Sequence, residues 1–348
     1  MRKKLGMLMM VAILALFIAT GCGGGSTGGK EENVVNILNW SEYLPENLIQ
    51  QFEEETGIKV NYSTISSNEE LLAKLNVGNA TYDLAVPSTY FIEVLINEGK
   101  LEKINKENIP NLKNIDEKFL GWDFDPNDDY SVPYMWGTEV IAYNEDLVDI
   151  EIDEYKDLFD PSLKDSLVVL DDPRTMLGAM LEMLGYSTNS TSEEEIMKAG
   201  EELKKLMPNI KAFDSDSPKN LLVSGEVKAG IVYGAEAALA MRENPSIKAV
   251  IPKDFLSLWQ DNFVIPKDAP NKENAEKFID FILRPEISKE ITMDYPYHNP
   301  NKAALELLPE DVRKELELSD EDYERGLHAV DVGQAIQYYD RAWSEVKQ

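Results

Sequence analysis

The stretch from Val34 to Tyr62 is VVNILNWSEYLPENLIQQFEEETGIKVNY, and it predicts a β-α-β unit. Residues 34–38 are an apolar run typical of a buried strand, and residues 44–56 repeat apolar positions at helical spacing. Gly57 ends the predicted helix before a second strand-like run at 58–62. In such units, ligands bind just beyond the carboxyl end of the strand. The stretch therefore predicts an α/β fold and a first candidate position for a ligand.

The positions after the first predicted strand carry Trp40, Ser41, Glu42 and Tyr43. Aromatic rings can lie against an alkyl chain or a cation, and a neighbouring carboxylate supplies a fixed negative charge. This combination suits an organic ammonium ligand. An alternative makes Trp40 and Tyr43 core residues of the loop and leaves Glu42 in solvent. Taken alone, the cluster slightly favours this alternative.

The N-terminal segment predicts export. Basic residues at 2–4 precede an apolar run at 5–19 that is too short for a membrane span, so residues 1–21 are predicted to be a signal peptide. Cys22 follows in a position that resembles a bacterial lipobox, whose cysteine is acylated, although Ala19 stands where that pattern prefers leucine. An ordinary signal peptide with an incidental cysteine is the less favoured alternative. Cys22 is the only cysteine, so an intramolecular disulfide is impossible.

Residues 22–32 are rich in glycine and are predicted to be a flexible tether, because they have no capacity to bury a core. We therefore expect an exported protein in the periplasm or on the outer face of the cell membrane. The predicted membrane contact is a lipid anchor at Cys22.

The net charge of −30 argues against nucleic acid as a partner and against binding to anionic membranes through a basic face. Many of the 64 acidic residues lie in runs typical of solvated helix faces. The total charge therefore does not identify a ligand, and only the few acids in a cleft would specify one.

Strand-like and helical segments alternate after the tether, which predicts an open α/β architecture with largely parallel sheets. Crossings near 134–138 and 259–264 would join two discontinuous lobes into a hinged clamp around a ligand. We expect an N-terminal lobe at 33–136 plus 262–305 and a C-terminal lobe at 137–261 plus 306–348. The predicted strand runs are 34–38, 58–63, 84–86, 132–134, 140–143, 167–170, 229–232, 248–251 and 262–265.

Five further segments place aromatic or polar residues at predicted strand ends or in a turn-rich loop. Some have simple structural explanations, since Ser88 could be an ordinary helix N-cap and Asp172 could cap the helix that follows it. Trp259 and Asp261 share one face of a strand. The candidate residues of these segments are Ser88, Tyr90, Asp172, Thr175, Tyr233, Glu236, Trp259, Asp261 and Tyr297.

The order and content of these segments resemble the spermidine/putrescine-binding proteins of bacterial ABC transporters over nearly the whole mature chain. The resemblance implies a two-lobed periplasmic-binding-protein fold that closes on a polyamine at the lobe interface. It also implies delivery to an ABC-transporter permease, with no catalysis, no cofactor, no metal and a monomeric state. The segments that carry it are NWSEYLP, FEEETGIKV, YDLAVPSTY, FDPNDDYSVPYMWG, LDDPRTM, LKKLMPN, FDSD, SGEVKAGIVYGAEA, WQDNFVIP, FILRPE and NPNKAALELL.

The resemblance implies roles for the candidate residues. Trp40, Glu42 and Tyr43 would flank the polyamine, and Ser88 and Tyr90 would form a second contact loop. By the same resemblance, Asp172 and Asp261 would hold amino groups, and Trp259 would pack the methylene chain. Tyr297 aligns with a ligand tyrosine, with Tyr295 as a possible substitute.

Several positions depart from the family's pattern. Thr175 stands where spermidine-preferring members carry a glutamate, and Tyr233 replaces a tryptophan. Glu236 is an acid where some spermidine binders have none, and Ala329 stands where a glutamine contact is expected. These departures leave the choice between spermidine and putrescine open.

Other function classes are less well supported. The only histidines are His298 and His328, and the motifs HExxH, GxSxG and spaced Cys/His clusters are absent from the sequence. Paired carboxylates for glycoside hydrolysis remain possible because acids are plentiful. A sugar-binding lipoprotein would need few acids in its cleft. A binding protein for thiamine or another cationic small molecule is the nearer alternative.

Overall fold

The computed structural model describes residues 33–77 and 82–348. The predicted signal peptide, Cys22 and the predicted tether lie outside the described residues. Within the described part of the chain, no helix is long and apolar enough to span a membrane.

The strands are β1 (Val34–Trp40), β2 (Lys59–Ile65), β3 (Leu84–Ala85), β4 (Ser131–Asn144), β5 (Leu167–Val169), β6 (Ile210–Phe213), β7 (Ala229–Tyr233), β8 (Ile247–Val250), β9 (Ser257–Val264) and β10 (Leu327–His328). The sheet order is β2-β1-β3-β9-β4-β7-β5-β6, with β10 beside β9 and β8 beside β4. Strand β1 is parallel to β2 and β3, and β5 is parallel to β6 and β7.

The long strand β4 joins the two parts of this sheet. Its residues from Ser131 to Thr138 pair antiparallel with β9, and those from Glu139 to Asn144 pair antiparallel with β7 or β8. The sheet is therefore mixed, whereas the sequence predicted largely parallel sheets. The two runs predicted at 132–134 and 140–143 are one continuous strand that is buried along nearly its whole length. Pro133 is accommodated at an irregularity in the pairing with β9.

The α-helices are α1 (Glu46–Thr56), α2 (Asn68–Asn76), α3 (Thr89–Asn97), α4 (Pro173–Met183), α5 (Glu193–Leu206), α6 (Lys219–Val223), α7 (Gly234–Glu243), α8 (Lys272–Ile282), α9 (Pro285–Asp294), α10 (Lys302–Leu307), α11 (Glu310–Glu315), α12 (Asp320–Arg325) and α13 (Ile336–Val346). Short 3₁₀ segments lie at Lys106–Asn108, Pro110–Asn114, Glu117–Phe119, Tyr155–Phe159, Pro161–Leu163 and Gly333–Ala335.

Local signals explain where the helices begin and end. Helix α1 ends at Gly57, whose φ of 68° is in the left-handed region that favours glycine and whose N–H donates to the Glu53 carbonyl. Helix α5 begins after Ser192, whose hydroxyl accepts a hydrogen bond from the Glu195 N–H. Acidic residues in its first turn and lysines in its last turn complement the helix dipole.

Two large groups of buried apolar side chains pack on the two parts of the sheet. Phe52 of α1 contacts Phe278 and Phe281 of α8, with ring centroids 5.0 and 5.4 Å apart. Tyr155 and Tyr339 are fully buried in the other group. Burying a side chain of this size contributes about 1.5–3 kcal/mol. The α/β, two-lobed fold predicted from the sequence is confirmed, while the lobe boundaries stay a prediction.

Candidate functional site

A cleft lies where the carboxyl ends of β1 and β7, the middle of β4 and β9, and the N-termini of α3 and α4 come together. Most of the predicted site residues line it. They are Trp40, Ser41, Tyr43, Ser88, Tyr90, Asp172, Thr175, Tyr233, Trp259, Asp261 and Tyr297. Ala329 lines the cleft too, and so does Glu139, which the sequence analysis did not single out.

Asp261 is a buried carboxylate in this cleft, with 4% of its surface exposed. Its Oδ2 accepts a hydrogen bond from the Tyr43 hydroxyl and its Oδ1 accepts one from the Ser88 hydroxyl, both at 2.7 Å. Burial raises the pKa of Asp261 to about 6, although these two hydrogen bonds oppose the shift. A buried carboxylate held by two hydroxyls is a fixed negative charge, and an ammonium group would complement it.

The loop between β3 and α3 is fixed by Asn68. Its side-chain carbonyl accepts from the Ser88 N–H at 3.1 Å, and its Nδ2 donates to the Tyr90 hydroxyl at 3.0 Å. Ser88 stands at the N-cap of α3 but makes no side-chain capping hydrogen bond. Ser88 is therefore the N-cap residue, as one interpretation of the sequence predicted, but its hydroxyl donates to Asp261 rather than capping the helix.

Aromatic rings form a continuous row along the cleft. The Trp259 ring lies 5.8 Å from the Tyr233 ring and 5.5 Å from the Tyr297 ring, in both cases edge to face. The Tyr297 ring lies 4.9 Å from that of Tyr43. Tyr295 does not line the cleft, so the structure places Tyr297 there. These rings give the apolar wall that an alkyl chain needs.

Gly137 lies directly behind the indole of Trp259. A β-carbon at this position would lie 2.6 Å from the Trp259 ring, which is closer than real side chains approach. The absence of a side chain at Gly137 therefore allows Trp259 to sit against β4.

The start of α4 carries a second pair of predicted residues. Asp172 caps the helix by accepting a hydrogen bond from the Thr175 N–H at 2.9 Å, as one interpretation of the sequence predicted. Burial raises the pKa of Asp172. The Thr175 hydroxyl donates to Glu139 Oε1 at 3.2 Å, which brings an acid of β4 beside the helix.

Glu42 and Glu236 do not line the cleft, unlike the other predicted residues. Both contact Lys219, whose ammonium group lies 2.5 Å from Glu42 Oε2 and 3.3 Å from Glu236 Oε1. Glu42 has a φ of 50°, an uncommon left-handed conformation for a non-glycine residue. Burial lowers the pKa of Lys219, but the two carboxylates outweigh it and raise that pKa overall.

The sequence analysis missed Glu139, Lys219 and Asn68 as residues of this region. Lys219 falls in a turn-like SPKN segment, and Glu139 falls inside a strand, so each resembles an ordinary solvated charge. The strand-end rule could have found Asn68, which follows β2 by a few residues.

The arrangement is suited to holding a cation rather than to catalysis. Neither histidine lines the cleft, and His298 instead stacks on Trp136 with ring centroids 4.2 Å apart. In the described residues, no group of three or more His, Cys, Asp or Glu side chains could hold a metal ion. Buried carboxylates beside aromatic faces are the groups that bind organic ammonium ions.

Comparison with known proteins agrees with this geometry. Residues 47–318 match the family model described as bacterial extracellular solute-binding protein. The spermidine/putrescine-binding periplasmic proteins of Salmonella typhimurium and Escherichia coli are each 40% identical to the chain over 351 residues, covering 100% of this chain and 99% of the relative. A solved structure of a putative spermidine/putrescine ABC transporter from Listeria monocytogenes superposes with a TM-score of 0.88. It is 36% identical, and the match covers 91% of this chain and 99% of that one.

Proposed function

Because the chain belongs to the spermidine/putrescine-binding family of bacterial extracellular solute-binding proteins, we propose that it captures a polyamine and delivers it to an ABC-transporter permease. Membership of this family makes the chain a solute-binding transport protein rather than an enzyme. Its place of action is outside the cytoplasm, as the family's description states.

The observation that carries the proposal is Asp261 beside the row of rings. A polyamine is a chain of methylene groups with ammonium groups at fixed spacing, so it needs an apolar wall and separate negative charges. Trp259, Tyr233 and Tyr297 supply the wall, and Asp261 supplies a buried charge beside it. A close ion pair is worth up to about 4 kcal/mol before desolvation. A cation over an aromatic ring adds roughly 0.5–2 kcal/mol.

The transport step in this proposal is closure of the two lobes around the polyamine. Ligand binding shifts a hinge equilibrium from an open to a closed form, and the permease recognises the closed form. We propose lobes at 33–136 plus 262–305 and at 137–261 plus 306–348, with β4 and β9 as the crossings. Contacts that join the N-terminal and C-terminal parts across the cleft support this assignment. They include the Ser41 hydroxyl donating to Asp216 at 3.1 Å.

The remaining parts of the proposal concern the membrane and the oligomeric state. The lipobox-like position of Cys22 supports a lipid anchor after residues 1–21 are removed. The glycine-rich residues 22–32 would then let the binding domain reach the permease. The protein is expected to act as a monomer.

Isothermal titration with putrescine and spermidine at matched salt tests the proposal. The purified protein is first unfolded and refolded to remove carried-over ligand. One-to-one binding of either polyamine is the expected result. If folded protein gives no heat with either, the cleft serves another cation, and thiamine and amino-acid-derived amines become the ligands to test.

A further inference from the structure

Glu139 is a buried acid of the cleft to which the proposed function has so far given no role. It lies in β4, it lines the cleft, and 2% of its surface is exposed. Its Oε1 accepts the hydrogen bond from Thr175. Its buried Oε2 accepts no hydrogen bond of normal distance and angle from the described residues, although the Ser257 hydroxyl is near enough to lower the pKa of Glu139. An unsatisfied buried carboxylate oxygen destabilises a folded protein, so a residue of this kind normally has a use.

The surroundings of Glu139 make ionisation costly without a cation. Burial raises the pKa of Glu139 to about 7, and the Asp172 carboxylate adds to the shift. The hydroxyls of Ser257 and Thr175 offset only part of it. A cation placed at Oε2 would remove this cost, because an opposite charge favours the ionised form.

The position of Glu139 in the cleft indicates which part of a ligand could reach it. Glu139 lies opposite Tyr233 in the antiparallel pair of β4 and β7, and its hydrogen-bond partner Thr175 lines the same part of the cleft. Tyr233 contacts Trp259, Trp259 contacts Tyr297, and Tyr297 contacts Tyr43, whose hydroxyl donates to Asp261. Glu139, beside Tyr233, and Asp261, beside Tyr43, therefore lie at different positions along one row of rings.

We propose that Glu139 binds an ammonium group of the ligand in the part of the cleft beside Tyr233 and Thr175. This inference rests on the proposed function and adds a specificity-determining residue to it. The ligand ammonium would donate to Oε2, while Thr175 holds Oε1 and thereby orients the carboxylate. The methylene chain would then run along Tyr233 and Trp259 towards Asp261.

The first test compares Glu139→Gln with the parent protein by isothermal titration of putrescine and spermidine at pH 8. We expect at least about a tenfold loss of affinity for both, because the ammonium loses its counter-charge. Glu276→Gln is the matched control. Glu276 has 1% of its surface exposed and both its oxygens accept hydrogen bonds, but it does not line the cleft. Its substitution should leave both affinities unchanged.

A second test separates ligand binding from a structural role. Because Thr175 and Glu139 are in contact, the double variant Glu139→Thr, Thr175→Glu keeps one acid and one hydroxyl in this part of the cleft. It should recover most of the affinity that Glu139→Thr alone loses. Failure to recover it, in a variant that melts like the parent, would overturn the inference.

The remaining outcomes distinguish this inference from the proposed function. Parental affinity in Glu139→Gln, together with weakened binding in Asp261→Asn, would overturn the role of Glu139 and leave polyamine capture intact. Absence of polyamine binding in the parent protein would overturn the proposed function, and this inference with it.

Discussion

The ammonium group of Lys219 lies 2.5 Å from Glu42 Oε2, so a lysine of the chain itself neutralises an acid predicted to hold the ligand. The same ammonium group is 3.3 Å from Glu236, and the Lys219 side chain is only 12% exposed. A cation of the chain itself therefore already pairs with two of the acids predicted for the site, outside the lining of the cleft. The acidic residues that line the cleft are Glu139, Asp172, Asp216 and Asp261, and the acids paired with Lys219 are Glu42 and Glu236 instead.

Removal of that internal cation should change the preference among polyamines. In Lys219→Met, the freed carboxylates can accept a third ammonium, so the affinity for spermidine should rise relative to that for putrescine by several-fold to about tenfold. Titration with both ligands at pH 8 measures the ratio. Lys267→Met is the control, because Lys267 pairs with Glu102 on an exposed surface. An unchanged ratio would show that Lys219 does not set the ligand's charge.

Polyamine binding should weaken as the pH falls from 8 to 5.5. The pKa is raised to about 6 for Asp261 and about 7 for Glu139, in both cases chiefly by burial. The empty protein therefore takes up protons in this range, and the ligand must displace them, at a cost of about tenfold per pH unit for each group below its pKa. Titrations at several pH values test this, and a flat profile would contradict it.

Stability of the ligand-free protein should show the opposite trend. A carboxyl group whose pKa is raised in the folded state stabilises that state when it is protonated. The contribution of Asp261 is fully present below its ordinary pKa near 3.8 and is lost as the pH rises through about 6. The melting temperature of Asp261→Asn should therefore depend less on pH than that of the parent protein. If the two melting temperatures change with pH in parallel, Asp261 does not make this contribution.

Asp261→Asn should weaken polyamine binding by roughly tenfold or more with little loss of fold, because a buried ammonium loses its counter-charge. Asp216→Asn provides a comparison in the lining of the cleft, where the carboxylate is exposed and accepts a hydrogen bond from Ser41. We expect a much smaller effect there, since exposed charges contribute little. Equal affinities in the parent and Asp261→Asn would exclude Asp261 as a ligand contact.

Gly137→Ala should disturb the aromatic wall without removing any ligand-facing group. The added methyl group would collide with the Trp259 ring, which must tilt towards the ligand. We expect a loss of affinity that approaches the loss caused by Trp259→Leu. Circular dichroism checks that the fold is retained. A Gly137→Ala variant that binds like the parent would mean that Trp259 moves without consequence.

The sequence predicted strands and helices well where the residues of a single segment show a clear hydrophobic pattern. All of the predicted strand runs correspond to strands, and the helix predicted at 44–56 corresponds to α1 at Glu46–Thr56. The short strands β6 and β10 were missed, since four and two partly exposed residues give little periodicity. Residues 132–143 were divided into two strands because burial on both faces of β4 removes the alternation that marks one.

The site was predictable only in part, for a different physical reason. Trp40, Tyr43 and Asp261 stand at strand ends or alternate along a strand, so local rules identify them. The contact between Thr175 and Glu139 spans 36 positions, and that between Lys219 and Glu42 spans 177. Local composition carries no information on contacts between residues so far apart in the sequence. In the sequence, an acid that pairs with a lysine therefore looks the same as an acid that does not.

The position of Trp40 and Trp259 gives the cleft an optical property of its own. Of the five tryptophans in the sequence, these two line the cleft. The Trp40 indole N–H donates to the Val86 carbonyl at 2.8 Å, so that ring is held rigidly at the carboxyl end of β1. A bound cation and the departure of water both change the electric field at an indole. Intrinsic fluorescence should thus report occupancy without a label, and replacing either tryptophan by phenylalanine would separate the signal of one indole from that of the other.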